Sequence, residues 1–139
     1  MVGVPTGVAV AVAIAWAVLP RRPFRVAIEG ASMVPTLLPG DWALAAPIRR
    51  YRRGDVVVLE HPSRPGYEMV KRLTAVPGDR VADDRVLADD EYWVEGDHPQ
   101  SSTDSGRFGP VRRGSLKARV LVIYWPADRR RMLDRSRPG

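Results

Sequence analysis

The chain of 139 residues contains no cysteine. This excludes disulfides, thiolate nucleophiles and cysteine-bound zinc together, and leaves the redox compartment open. Histidine is nearly as scarce, with only His61 and His98, each followed by a proline in a loop-forming stretch. Two histidines without neighbouring ligands do not make a zinc site, and a Ser-His-Asp triad needs one of them beside a serine and a carboxylate. The body of the chain also lacks a long amphipathic helix, an internal repeat and a low-complexity tract. No basic helix with interleaved aromatics is present, so the net charge of +6 does not point to nucleic acid. The acidic pairs Asp83/Asp84 and Asp89/Asp90 have the composition of exposed turns rather than of a metal site.

Charge is missing altogether from the side chains of Met1 to Leu19, and Val8 to Leu19 is almost purely Ala, Val, Ile, Leu and Trp. Eighteen helical residues reach about 27 Å, close to a hydrocarbon core of about 30 Å. Residues 1–20 are therefore expected to form a single N-terminal membrane anchor helix, with Trp16 at headgroup level and Pro20 and Pro23 ending it. A cleaved secretory signal would carry positive charge before the apolar run; here Arg21, Arg22 and Arg25 follow it. Positive flanks prefer the cytoplasmic side, which places the downstream domain there. Membrane lipid is thus an expected partner, and the excess positive charge suits anionic headgroups.

Residues 24–126 read as one mainly β domain. Phe24, Val26 and Ile28 alternate with Arg25, Ala27 and Glu29, the period of a strand. Further strands are expected at Trp42 to Ala46, Asp55 to Glu60, Glu68 to Val76, Tyr92 to Glu95 and Arg119 to Trp125, with a short segment around Val86. Turns carrying Pro39-Gly40-Asp41 and Pro77-Gly78-Asp79 separate them, and Asp97 to Pro110 is a long polar loop. Short strands with regular turns imply an antiparallel architecture. Residues 127–139 form a basic, loosely ordered C-terminal tail.

Two residues could do chemistry. Ser32 follows Gly30-Ala31 directly after a strand, and Pro35 stiffens the chain beyond it. Such a turn can expose a hydroxyl at a fixed angle with backbone N–H groups free to bind an oxyanion. In Glu68-Met69-Val70-Lys71-Arg72-Leu73, alternation puts Met69, Lys71 and Leu73 on one face and Val70 and Arg72 on the other. Burying Lys71 would lower its pKa; moving a lysine from about 10.4 to near 7–8 costs roughly 4 kcal/mol, a cost justified where a neutral amine must take a proton from a hydroxyl.

Four motifs in order give these residues a context. Gly30-Ala31-Ser32-Met33-Val34-Pro35-Thr36-Leu37 with Gly40-Asp41 resembles the nucleophile box of type I signal peptidases. Gly54-Asp55-Val56-Val57-Val58 resembles the strand box after it, and Val70-Lys71-Arg72-Leu73 with Pro77-Gly78-Asp79 the lysine box. Gly96-Asp97-His98, Ser102, Asp104, Ser105 and Phe108-Gly109 resemble the last box. The resemblance implies a signal peptidase-like, partly barrel-like β domain and a Ser/Lys dyad. Ser32 would be the nucleophile, with its backbone N–H in the oxyanion hole, and Lys71 the general base. Ser102 would orient the base, and Asp104 would tie the last loop to the site. Met33 and Val34 are candidates for substrate contact. No cofactor or metal is implied.

Three departures stand out. Gly30 occupies the place where some members carry a second oxyanion-binding serine, Gly106 displaces Arg107 by one position and puts an Asp104–Arg107 pairing in doubt, and His98 stands where asparagine is usual. In length and in its last box the chain most resembles the nickel-type superoxide dismutase maturation proteases. The implied substrate is then a nickel superoxide dismutase precursor that loses an N-terminal extension. The alternative within the class is a general type I signal peptidase acting on exported proteins. The alternative outside it is a non-catalytic, membrane-tethered interaction domain.

Overall fold

The computed structural model describes residues 22–136. The expected anchor helix at residues 1–20 lies outside them. No helix among the described residues is long and apolar enough to cross a membrane.

The chain runs through β1 (Phe24–Ala27), β2 (Trp42–Ala46), β3 (Val56–Glu60), β4 (Glu68–Ala75), β5 (Glu91–Glu95), the short helix α1 (Ser105–Phe108), β6 (Val111–Arg112), β7 (Leu116–Trp125) and β8 (Arg131–Met132). The strands form one antiparallel sheet in the order β1-β2-β7-β3-β4-β5-β6, with β8 paired to β7. β7 is the spine. Its first half pairs with β3, through Val57–Arg119, Val58–Ala118 and Leu59–Leu116. Its second half pairs with β2 on one edge and β8 on the other.

The run Val56-Val57-Val58-Leu59 does not alternate in polarity because β3 is covered on both faces. Val56 and Val58 join one buried cluster with Met33, Leu37, Val120 and Ile123. Val57 and Leu59 join a second with Leu73, Tyr92, Val94 and Leu116. Alternation in β4 follows suit: Val70 packs on the first cluster, Met69 and Leu73 on the second.

The sheet is open, which corrects the barrel-like expectation. β1 and β6 are its two ends and do not pair. β5 pairs only with Arg72 to Ala75 of β4, so β4 extends past it. A cleft fills the space between β1 and the first half of β4, where closure of the sheet would otherwise occur.

Three Gly-Asp turns are built alike. Gly40, Gly54 and Gly78 adopt positive φ (+95°, +94° and +89°), which glycine reaches without steric cost. The following aspartates accept the N–H of the residue three positions back: Leu38 to Asp41 at 2.9 Å, Arg52 to Asp55 at 2.8 Å and Val76 to Asp79 at 2.9 Å. Each aspartate also holds an arginine. Arg129 binds Asp41 through two nitrogens at 2.7 and 2.8 Å, and Arg135 and Arg119 both reach Asp55. The segment after β7 is therefore not a loose tail through residue 136. Arg131 donates to the Thr36 carbonyl at 2.7 Å, and Leu133 is buried in the first cluster. Two further expectations change in detail. Val86 forms only an isolated bridge to Arg80, and the 97–110 loop contains α1.

Candidate active site

β1 delivers the chain into a loop closed on itself. Ile28 donates to the Asp41 carbonyl and accepts from the Gly40 N–H, both at 2.9 Å. Met33 and Leu37 are buried in the first cluster, and the Leu37 N–H donates to the Met33 carbonyl at 2.9 Å. Ser32 is half-buried beside this rooted residue. Gly30 has φ +74°, a conformation costly for any residue with a Cβ, so a serine at this position is disfavoured by the backbone itself.

β4 forms the opposite wall. Ser32 and Lys71 line the same cleft, of about 540 Å³, together with Met33, Val58, Val70 and Thr103. Val34 is half-buried and lies outside that lining. Lys71 is 4% exposed. Its Nζ donates to Ser102 Oγ at 3.0 Å, and Ser102 Oγ donates to Asp104 Oδ2 at 3.3 Å. Burial pushes the Lys71 pKa below the ordinary value of 10.5, and the Asp104 carboxylate pulls part of the way back. A lysine so placed is more readily neutral than one in water.

Asp104 holds the last loop together. It caps α1 by accepting the Gly106 N–H at 3.1 Å and accepts the Gly96 N–H at 3.3 Å. Among the described residues no ion pair joins it to Arg107, which is exposed.

Some members of the constellation were not assigned roles from sequence. Gly96 sits where a Cβ would come within 3.0 Å of both Ser102 and the Ser32 carbonyl oxygen. Only a hydrogen fits between the loop that carries Ser32 and the one that carries Ser102. The two loops are also tied by the His98 N–H, which donates to the Ser32 carbonyl at 2.9 Å. Below them, Arg72 (2% exposed) grips Asp97 through two nitrogens at 2.8 and 2.9 Å, and donates to the Gly54 carbonyl at 2.7 Å. Thr36, four residues after Ser32, donates to the same carboxylate at 2.6 Å. Arg72 and Asp97 stand inside the lysine box and the last box, so the motifs carried their letters without their function. The histidines are occupied otherwise. His61 lies in the cleft wall against Tyr67 and Phe108, with Nδ1 near Ser63, and His98 Nδ1 meets Ser101 Oγ at 3.0 Å.

The family model described as "Signal peptidase, peptidase S26" matches residues 2–91, a span that includes Ser32 and Lys71. The chain belongs to the signal peptidase family, peptidase S26. It is 37% identical to mitochondrial inner membrane protease subunit 2 of Mus musculus, over 95% of this chain and 84% of the relative. It is 33% identical to the same subunit of Danio rerio, over 96% and 81%. It is 39% identical to mitochondrial ATP-independent inner membrane protease subunit 1b of Arabidopsis thaliana, over 70% and 67%. Membership makes this protein a serine-type peptidase of the signal peptidase I kind. These relatives are inner membrane protease subunits and not nickel superoxide dismutase maturation proteases, a likeness that rested on length and on a last box beyond the span of the family model.

Proposed function

We propose that this signal peptidase is a Ser/Lys endopeptidase that removes N-terminal targeting segments from precursor proteins at a membrane. The observation that carries the reading is Lys71, buried, aimed by Ser102 and lining the same cleft as Ser32. Neutral Lys71 takes the Ser32 hydroxyl proton as the oxygen attacks the scissile carbonyl. The oxyanion is met by the Ser32 backbone N–H. Collapse passes the proton from Lys71 to the leaving amine, which becomes the new N-terminus of the mature protein. A water molecule, deprotonated by Lys71, then hydrolyses the Ser32 ester and releases the targeting segment as a carboxylate. Ser102 and Asp104 position the amine throughout, and Met33 forms part of the substrate wall.

A broad signal peptidase role is favoured because the named relatives are inner membrane protease subunits. A nickel superoxide dismutase precursor is the second reading, favoured by Gly96-Asp97-His98-Pro99. Mass spectrometry of both precursor types, incubated with the full chain in detergent beside Ser32→Ala, separates them. Cleavage of a signal peptide by the wild type alone is the expected result. Cleavage of only the dismutase precursor would transfer the assignment to the second reading. Equal cleavage by Ser32→Ala would remove Ser32 as the nucleophile, and no cleavage of either precursor would leave a non-catalytic tethered domain.

A further inference from the structure

Charge is distributed unevenly along the cleft. β1 and β4 are separated in the sheet by an even number of antiparallel pairings, through β2, β7 and β3, so the two strands run in the same direction. β1 leads on toward Ser32, and β4 reaches Lys71 after Glu68, Met69 and Val70. Phe24 and Arg25 therefore share the end of the cleft far from the dyad with the hairpin tip 61–67 that precedes β4. Glu29 lines the cleft nearer Ser32.

Positive charge is left over at the far end. Arg25 and Arg64 both line the cleft and are exposed, and among the described residues neither forms an ion pair. The neighbouring carboxylates are engaged: Glu68 holds Lys117 at 2.7 Å, and Glu60 accepts the Gly66 N–H at 2.6 Å. The tip itself is well tied. The backbone N–H of His61 donates to the Tyr67 carbonyl at 2.8 Å, and that of Tyr67 to the Arg64 carbonyl at 3.0 Å. The Arg64 guanidinium lies over the Tyr67 ring, 4.4 Å from its centroid. Such a stack fixes the plane of the guanidinium and leaves its N–H edge for a carboxylate. His61 Nδ1 accepts the Ser63 N–H at 3.1 Å, so the donor of the neutral ring is Nε2–H.

We infer that this far end is a carboxylate subsite, formed by Arg25 and Arg64 with His61 beside them, which selects precursors carrying Asp or Glu about four to six residues from the scissile bond. The inference rests on the peptidase reading and names a feature of the substrate that the same cleft selects. Arg25 precedes Gly30 by five residues, about 16 Å at a strand's rise of about 3.3 Å per residue. A precursor extended along the cleft advances at the same rate, which sets the spacing. Glu29 repels an acidic residue close to the cut, so the same charge placed there gains nothing.

Peptide cleavage tests the subsite. Alanine-rich peptides each carry a single Glu, Gln or Lys, stepped along the sequence, and are incubated with the full chain in detergent at low salt. Product masses give the cut. Glu at one position, about four to six residues from the cut, should raise kcat/KM about fivefold over Gln, and Lys there should lower it. The gain should shrink at high salt. Arg25→Glu/Arg64→Glu should invert the order and favour Lys at that position, a result that a merely structural role does not produce. A profile that is flat across all positions overturns the inference. So does a preference for Glu that persists in Arg25→Glu/Arg64→Glu, or one that disappears there without inverting. Ser32→Ala separates this outcome from failure of the peptidase reading. Fluorescence anisotropy of labelled peptides on that variant should show tighter binding of Glu than of Lys peptides even where the wild type cuts none of them. Equal Kd values would overturn the carboxylate subsite whatever is cleaved.

Discussion

Lys71 and Arg72 are consecutive, basic and almost wholly buried, yet the two faces of β4 treat them oppositely. Arg72 receives a full set of partners: two carboxylate oxygens of Asp97, the Gly54 carbonyl and the Thr36 hydroxyl. Lys71 receives one hydroxyl, from Ser102, and the more distant charge of Asp104. The compensated cation ties three segments together: β4, the loop after Ser32 and the loop after β5. The under-compensated cation is pushed toward its neutral form, the form that can accept a proton. On the proposed mechanism, two buried basic groups in one strand are thus divided into a structural one and a reactive one by the partners supplied to each.

Breaking either side should give opposite signatures. Lys71→Met removes the proposed base and should lower kcat/KM by about 10⁴-fold or more. Its effect on stability has the other sign. A lysine whose folded pKa lies below its unfolded value costs stability wherever the native state must carry the desolvated ammonium, and that cost fades as pH rises through both values. At neutral pH the variant should therefore melt at the wild-type temperature or above it, which calorimetry checks. Asp97→Ala should do the reverse. It leaves Arg72 buried without its carboxylate and should cost about 3–5 kcal/mol in denaturant unfolding. A Lys71→Met protein that unfolds as easily as Asp97→Ala would erase the distinction.

Smaller effects sharpen the picture. Gly96→Ala should force apart the loops carrying Ser32 and Ser102, lowering kcat by roughly 10²-fold because a misplacement of about 1 Å is enough for that. The readout is a loss in kcat larger than any change in KM. Ser102→Ala should have an effect of the same order or less, because it releases the Lys71 amine without moving either backbone.

The sequence disclosed the strands wherever polarity alternated or an apolar run was long, and motif order singled out Ser32 and Lys71, which the fold brings to one cleft. β6 and β8 escaped because two-residue strands have no period to read. The pairing of Arg72 with Asp97 escaped because the residues are 25 positions apart and only the fold brings them together. The basic segment after β7 read as solvated charge, although Arg129 and Arg135 each have a buried aspartate to meet. The three Gly-Asp turns were visible as turns, but sequence alone could not show that each would also recruit an arginine. The open sheet was likewise hidden, since closure is decided by how far β4 outruns β5 and not by any strand taken alone.

The pH dependence of kcat/KM tests the central claim most directly. If neutral Lys71 is the base, as proposed, the rate should rise with pH on a limb whose midpoint lies below the ordinary lysine value of 10.5. Asp104→Asn removes the one anion that favours the ammonium, so its limb should move to still lower pH. A limb that stays in place in Asp104→Asn, or that survives in the residual activity of Lys71→Met, would assign the base to another group.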